Sequence, residues 1–169
     1  MTSDESLMLA FQRGSREAFD ELFARYRHAL YGYFRRRLAD RERAEDLTQE
    51  TFLAVIRATE RYQPRALVRT YLYGIAIKLL GVERRRLAPA AVPAEPVRDD
   101  RSDETLWVRE ALDRLEPLER EILMLREYEQ LSYAEIAGLL RLPLNTVRTR
   151  LFRSRMALKS HLEPAKNEA

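Results

Sequence analysis

Between Arg141 and His161 the chain carries Arg141, Arg148, Arg150, Arg153, Arg155 and Lys159 and no acidic residue. Cations strung along one rod suit the phosphates of a nucleic acid. At about 100° per residue, Val147, Leu151 and Leu158 share one stripe, the face expected to be buried. Asn145, Thr149, Phe152, Arg153 and Met156 point roughly the other way. A helix start without acids also leaves backbone donors and positive dipole for a phosphate.

Two further sets stand out. On 41–59 the spacing puts Glu42, Glu45, Asp46 and Gln49 on one face together with Leu53 and Ile56. Apolar residues on an acidic face are either covered by the same domain or form a docking surface for a partner with basic residues. Further on, Tyr62, Arg65, Arg69, Tyr71, Tyr73 and Lys78 interleave aromatic and basic side chains. That mixture suits unstacked single-stranded bases and their phosphates, although Tyr71 and Tyr73 equally suit half-buried packing.

Helices must position all three sets. The basic rod is preceded by Ser132 to Leu140, where Ser132 and Glu135 form a capping box and Ile136, Ala137, Leu139 and Leu140 an apolar face. Arg141-Leu142-Pro143 ends that helix, since the residue before a proline resists helical geometry. Asn145 or Thr146 is the expected cap of the rod. The pair reads as a helix-turn-helix whose second helix enters a DNA major groove, or else as part of a bundle with a solvated basic face.

Upstream, residues 4–12 predict a short helix broken at Gly14, and Ser15 caps a helix running to Leu38. Phe19, Leu22, Phe23, Tyr26, Leu30 and Phe34 recur along it at core spacing, and Arg35-Arg36-Arg37 forms its basic end. Asp40 caps 41–59, with Ala44, Leu47, Thr51, Val55 and Ala58 inward. A helix from Leu67 to Leu87 has Val68, Leu72, Ile75 and Leu79 as its inner stripe and ends in Arg84-Arg85-Arg86. Residues 88–102, with three prolines and four alanines, read as a linker. Trp107, Leu112 and Leu115 then open a second domain, and Pro117 starts its next helix.

The expectation is an all-α chain with domains at 1–88 and 103–165 joined by 89–102. Its 169 residues allow one or two small domains, and 46% apolar residues allow compact cores. The net charge of +3 hides a dipole: residues 103–140 carry 4 basic and 10 acidic residues, and 141–161 carry 6 and none. Without cysteine there is no disulfide or thiolate metal site. His28 and His161 are far apart in sequence, and no Gly-rich phosphate loop or nucleophile–base set appears, so neither a cofactor nor an enzyme activity is expected. No apolar run is long enough to span a bilayer, so a cytoplasmic protein without direct membrane insertion is expected.

Two segments resemble one family. Arg43-Ala-Glu-Asp-Leu-Thr-Gln-Glu-Thr-Phe-Leu53 resembles the hallmark of sigma factor region two. Leu115-Glu-Pro-Leu-Glu-Arg-Glu-Ile-Leu, Leu131-Ser-Tyr-Ala-Glu-Ile-Ala and Thr146-Val-Arg-Thr-Arg-Leu-Phe-Arg-Ser-Arg resemble region four. Over about residues 5–162 the chain resembles an extracytoplasmic-function (ECF) sigma factor of the sigma-70 family. The resemblance implies binding to bacterial core RNA polymerase and direction of it to promoter DNA, commonly under the control of an anti-sigma factor. It implies that Glu45, Asp46, Gln49, Glu50 and Leu53 dock on the clamp helices of the largest subunit. It assigns −10 reading and melting to the segment Arg61–Arg86, with Tyr62, Arg65, Arg69, Tyr71, Lys78, Arg84 and Arg85 as candidate contacts. It assigns the −35 element to Asn145, Thr146, Arg148, Thr149, Phe152 and Arg153.

The chain departs from the family pattern at Arg43, where Asp is usual, and at Val68, Tyr71, Ile77-Lys78 and Val82 in the −10-reading helix. Two other readings therefore remain open: a helix-turn-helix regulator that needs no polymerase, and a polymerase-binding protein that does not melt promoters.

Overall fold

The computed structural model describes residues 1–88 and 103–163, with side chains from residue 106 onward in the second stretch. The expected linker at 89–102 lies outside the described residues. The chain divides into two compact units, Met1–Val97 and Arg98–Ala169. Every regular element among the described residues is helical.

The first unit holds α1 (Asp4–Gln12), α2 (Arg16–Arg37), α3 (Arg41–Ala58), a single 3₁₀ turn (Thr59–Arg61) and α4 (Val68–Leu87). Caps set the starts. Ser3, Ser15 and Asp40 each accept from the first-turn N–H groups of α1, α2 and α3, bonds worth about 1 kcal/mol apiece. Gly14 takes φ +104°, a turn that a side chain resists, so the chain reverses sharply between α1 and α2. Phe11, Phe19, Phe23 and Phe52 lock α1, α2 and α3 together, with ring centroids 4.8 Å apart for Phe11–Phe19 and Phe23–Phe52. Leu30, Tyr33 and Phe34 of α2 and Leu47 and Val55 of α3 are buried as well.

The rotation of α4 differs from the expected one. Its buried face is Val68, Leu72, Tyr73, Ala76, Leu80 and Glu83, while Ile75 and Leu79 are only half-buried. The apolar residues of this helix lie nearly all round it, so periodicity fixes its rotation poorly. Two specific contacts decide the matter: Tyr73 packs edge-on against Tyr33 with centroids 5.6 Å apart, and Glu83 is drawn inward by Arg43. Arg35 also turns inward from the basic end of α2, donating at 3.2 Å to the carbonyls of Leu38 and Ala39.

The second unit holds α5 (Asp103–Asp113), α6 (Pro117–Glu127), α7 (Tyr133–Leu140) and α8 (Leu144–Leu162). Leu112, Leu115, Ile122, Leu125, Leu131, Ile136, Val147 and Leu151 form its core. Trp107 lies on α5 but is 48% exposed. The capping box is present: Ser132 accepts from the Glu135 N–H at 3.1 Å, and the Glu135 carboxylate accepts from the Ser132 N–H at 2.6 Å. α7 ends with Arg141 in the left-handed conformation (φ 55°, ψ 48°), its N–H returning to the Ala137 carbonyl.

α8 starts earlier than expected. Pro143 is its cap residue, and Asn145 and Thr146 are already inside the helix rather than capping it. Pro143 itself stands outside the helix (φ −59°, ψ 145°), and its carbonyl accepts from the Thr146 and Val147 N–H groups at 3.0 and 3.2 Å, which starts the first turn without a side-chain cap. Ser154 takes the buried place on the stripe, donating to the Leu151 carbonyl at 2.8 Å, and Leu158 is half-buried.

Candidate functional site

On α8 the arginines divide by role. Arg150 reaches Glu116 at 2.7 Å and Arg155 reaches Glu127 at 2.6 Å, so both are tied to the acidic ends of α6. The Glu127 hydrogen bond holds the Arg155 guanidinium above its ordinary pKa. Arg148 and Arg153 are exposed, and neither has an ion pair among the described residues. Phe152, at 66% exposure, lies beside them with Met156. Asn145 and Thr149 are exposed too, linked by a bond from the Thr149 hydroxyl to the Asn145 carbonyl at 2.9 Å. Thr146 is half-buried. The first turn of α8 has no side-chain cap and no acid; the Thr146 and Val147 N–H groups donate to the Pro143 carbonyl at 3.0 and 3.2 Å, which leaves the Leu144 and Asn145 N–H groups and the dipole for an anion. The α6 carboxylates neutralise the rear of the helix and leave an outward face of two arginines and an exposed aromatic ring.

The acidic face of α3 is open in the first unit. Glu42, Glu45, Asp46, Gln49 and Glu50 are exposed, and Leu53 and Ile56 are each 44% exposed. The first unit thus leaves the two apolar residues uncovered. Asp46 is engaged within this unit, 3.1 Å from Arg43.

Arg43 is the hinge of a network that the sequence reading did not assemble. Its Nη2 lies 2.7 Å from Glu83 Oε2 and its Nε 2.9 Å from Oε1. Arg86 reaches the same carboxylate at 2.9 Å. Glu83 is buried to 3% exposure. The hydrogen bond from Arg43, opposed by burial and reinforced by Arg86, pulls its carboxyl below the ordinary value. The Arg43 guanidinium is pushed above its own. A signal was present in the sequence: Arg43 is the one cation among the acids of 42–50, and Glu83 the one acid among the cations of 78–86.

Between α3 and α4 a pocket of about 350 Å³ opens, lined by Ala58, Arg61, Tyr62, Gln63, Arg65 and Tyr71. Arg65 is exposed at its rim and Tyr71 half-buried. The Tyr62 and Tyr71 rings are 5.3 Å apart, tilted by 59°. Tyr62 is buried at 7% exposure, and its buried hydroxyl has no hydrogen-bond partner among the described residues. Burial raises the pKa of both phenols above the ordinary value. Tyr73 is wholly buried and leaves the candidate set. Arg69 is half-buried, while Lys78, Arg84 and Arg85 line the exposed side of α4 further along.

Residues 22–88 match the family model for sigma-70 region 2, and residues 105–158 match the model for sigma-70 region 4. The RNA polymerase sigma-H factor of Pseudomonas aeruginosa is 33% identical over 98% of this chain and 97% of its own length. This chain belongs to the sigma-70 family of RNA polymerase sigma factors. The ECF RNA polymerase sigma-E factor of Escherichia coli K12, 30% identical over 96% of this chain and 95% of that protein, places it in the ECF group. As a sigma factor, the chain serves promoter-specific transcription initiation by RNA polymerase. Two solved structures share the fold. CnrH, solved with the cytosolic domain of CnrY, aligns with a TM-score of 0.73 at 24% identity over 95% of this chain and 97% of that one. The sigma factor RpoE of Bartonella quintana, solved with the anti-sigma factor NepR, aligns at 0.69 and 20% identity over 88% and 98%. Among the described residues of this sigma factor, no helix is long and apolar enough to cross a membrane.

Proposed function

We propose a residue-level division of labour for this sigma factor. Residues 1–88 form the module that grips polymerase and the −10 element, 103–165 the module for the −35 element, and 89–102 the link between them. Glu45, Asp46, Gln49, Glu50 and Leu53 meet the clamp helices of the largest polymerase subunit. The pocket beside Tyr62, Arg65 and Tyr71 takes an unstacked base, with Arg69, Lys78, Arg84 and Arg85 along the path of the strand. Asn145, Arg148, Thr149, Phe152 and Arg153 face the major groove of the −35 duplex, and Thr146 sits at its edge. The first-turn donors of α8 fit a phosphate there. The work is done in the cytoplasm, alongside polymerase. An anti-sigma protein is the further partner, in keeping with the complexes in which CnrH and the Bartonella RpoE were solved.

The observation that carries this reading is the sorting of arginines on α8. Arg150 and Arg155 are held back by carboxylates, while Arg148 and Arg153 are left outward beside Phe152. Run-off transcription with core polymerase tests the whole. New start sites are expected on closed duplex promoters when the chain is added. Initiation confined to templates already opened over −10 would instead indicate a polymerase binder that does not melt DNA. No new start on either template would refute the reading.

Arg153→Ala is expected to weaken binding to −35 duplex by roughly 1–3 kcal/mol, the usual worth of a good base contact. Arg148→Ala is expected to weaken all sequences alike and to lower the salt slope of binding by about one unit, as loss of a phosphate contact does. Titration of the holoenzyme against −35 variants at several salt concentrations separates the two. An Arg153→Ala protein that discriminates among these variants like the wild type would remove Arg153 from the readout.

A further inference from the structure

The loop joining α3 to α4 has few hydrogen bonds of its own. Its backbone closes on itself from the Tyr62 N–H to the Thr59 carbonyl at 3.1 Å and from the Arg65 N–H to the Gln63 carbonyl at 2.8 Å. The Thr59 hydroxyl ties its start to the Val55 carbonyl of α3 at 2.8 Å, and the further grip comes from α1. Gln12, the last residue of that helix, donates its side-chain amide to the carbonyls of Thr59 at 2.9 Å, Tyr62 at 3.0 Å and Glu60 at 3.4 Å. Three carbonyls around one nitrogen leave the amide a single sensible orientation, since the oxygen would be repelled there. Near the other end of α1, Glu5 accepts from the Val68 N–H at 3.1 Å. That carboxylate supplies the cap that α4 lacks, because Leu67 offers no side-chain acceptor. Between these two grips, Leu7 and Met8 are buried in one cluster with Val55, Tyr62, Val68 and Leu72. A nine-residue helix therefore fastens both ends of the 59–68 segment and packs beneath its middle.

We infer that Gln12 and Glu5 are positioning residues for the pocket between Arg61 and Tyr71, and that through it they set how narrowly the −10 base is selected. The inference rests on reading that pocket as the site of an unstacked base. A loop fixed before the strand arrives loses less entropy on binding and rejects misfitting bases more sharply. Gln12 fixes the carbonyls on either side of Arg61, and with them the direction in which Arg61 and Tyr62 leave the backbone. Glu5 fixes the first turn of α4, from which Tyr71 projects. Both residues precede the span 22–88 matched by the region 2 model. Selectivity then depends on a helix outside that span as well as on the residues lining the pocket.

The test uses full-length protein assembled with core polymerase. The probe is a pool of fluorescent single strands randomised over the −10 positions, sorted by binding to the wild-type holoenzyme. Gln12→Leu keeps the bulk and removes the donor. It is expected to bind the selected strand roughly tenfold more weakly, the loss of about one net hydrogen bond's worth of free energy, and to broaden the selected sequence. Core-polymerase affinity and −35 duplex binding should stay within about twofold. Glu5→Leu should behave like Gln12→Leu, and Glu5→Gln, which keeps an acceptor for Val68, should retain the wild-type profile. A destabilised but correctly shaped protein would lose thermal stability without broadening the profile, and that result would overturn the inference. So would an unchanged profile in a folded Gln12→Leu protein. If Gln12→Leu does not fold, the Glu5→Leu and Glu5→Gln pair decides on the same readouts. A wild-type holoenzyme that enriches no strand at all overturns the reading of the pocket, and this inference with it.

Discussion

Glu83→Ala should destabilise the first unit by about 2–4 kcal/mol, the largest single-residue loss expected outside the apolar core. Removing one partner of a buried pair typically costs about 3–5 kcal/mol, because the other charge is left uncompensated. The figure is set lower here because the Arg43 side chain keeps 27% of its exposure and can turn to water. Glu83 itself has no such escape, with only 4% of its side chain exposed. Arg86 stays 2.9 Å from that carboxylate when Arg43 is removed, so Arg43→Ala should cost no more than Glu83→Ala, and the two losses should not add, since both break one contact. The measurement must be confined to the first unit. The single tryptophan is in the second unit, so its fluorescence reports the wrong half, and hydrogen exchange of α3 and α4 amides is the suitable probe. A loss below about 0.5 kcal/mol would mean that the network is ornamental.

The same carboxylate gives a pH signature. Its folded pKa lies below the ordinary 4.5, chiefly through the Arg43 hydrogen bond. Its contribution is then fully present above that ordinary value and is lost as the pH falls through the depressed folded one. The stability gap between wild type and Glu83→Gln should be constant near neutrality and should narrow on acidification below about pH 4.5. A gap that does not narrow would contradict the assignment of the shift to this pair.

This network also marks the boundary of what the sequence could reveal. The capping residues Ser15, Asp40 and Ser132 were legible because a cap is local: one side chain and an N–H two or three residues on. The outward face of α8 was legible for a similar reason, since Val147 and Leu151 fix the helix rotation and Phe152 and Arg153 follow from it. The rotation of α4 was not. Its apolar residues lie on too many sides, and the deciding contacts, with Tyr33 and Arg43, come from 40 residues away in sequence. The lone acid within an arginine run stands out by type, as does the lone cation among the acids of 42–50, but only the contact between the two helices shows that Glu83 is buried. For Tyr73, spacing among cations left a strand-binding surface and packing both open, and the contact with Tyr33 takes it inward entirely, while Tyr62 keeps only a small exposed part of its ring. The early start of α8 was hidden because Asn145 and Thr146 are strong caps by type, while Pro143 caps with its backbone carbonyl alone. Gln12 gave no sign at all, since a glutamine at a helix end has many harmless roles.

Glu45→Lys should cost the protein its polymerase without costing it stability. Glu45 is exposed and carries no ion pair among the described residues, so its reversal should shift unfolding by no more than about 0.5 kcal/mol. At an interface the same change replaces attraction by like-charge repulsion, which costs several kcal/mol. At least a hundredfold loss of affinity for core polymerase is expected, about 2.7 kcal/mol. Asp46→Lys should differ in kind. Asp46 lies 3.1 Å from Arg43, so reversing it pushes on the guanidinium that holds Glu83, and stability should fall together with affinity. The two neighbours thus separate docking from architecture. Leu53→Asp provides the third arm: Leu53 is 44% exposed, and if the proposed docking uses it, the contact is apolar, so the defect should survive high salt, whereas the Glu45 effect should shrink as the Debye length falls from about 10 Å at 0.1 M toward 3 Å at 1 M. Co-isolation with core polymerase across a salt series reads all three. Wild-type co-isolation by a folded Glu45→Lys, Leu53→Asp double variant would show that polymerase binds elsewhere on the chain, and that the acidic face of α3 is only a solvated surface.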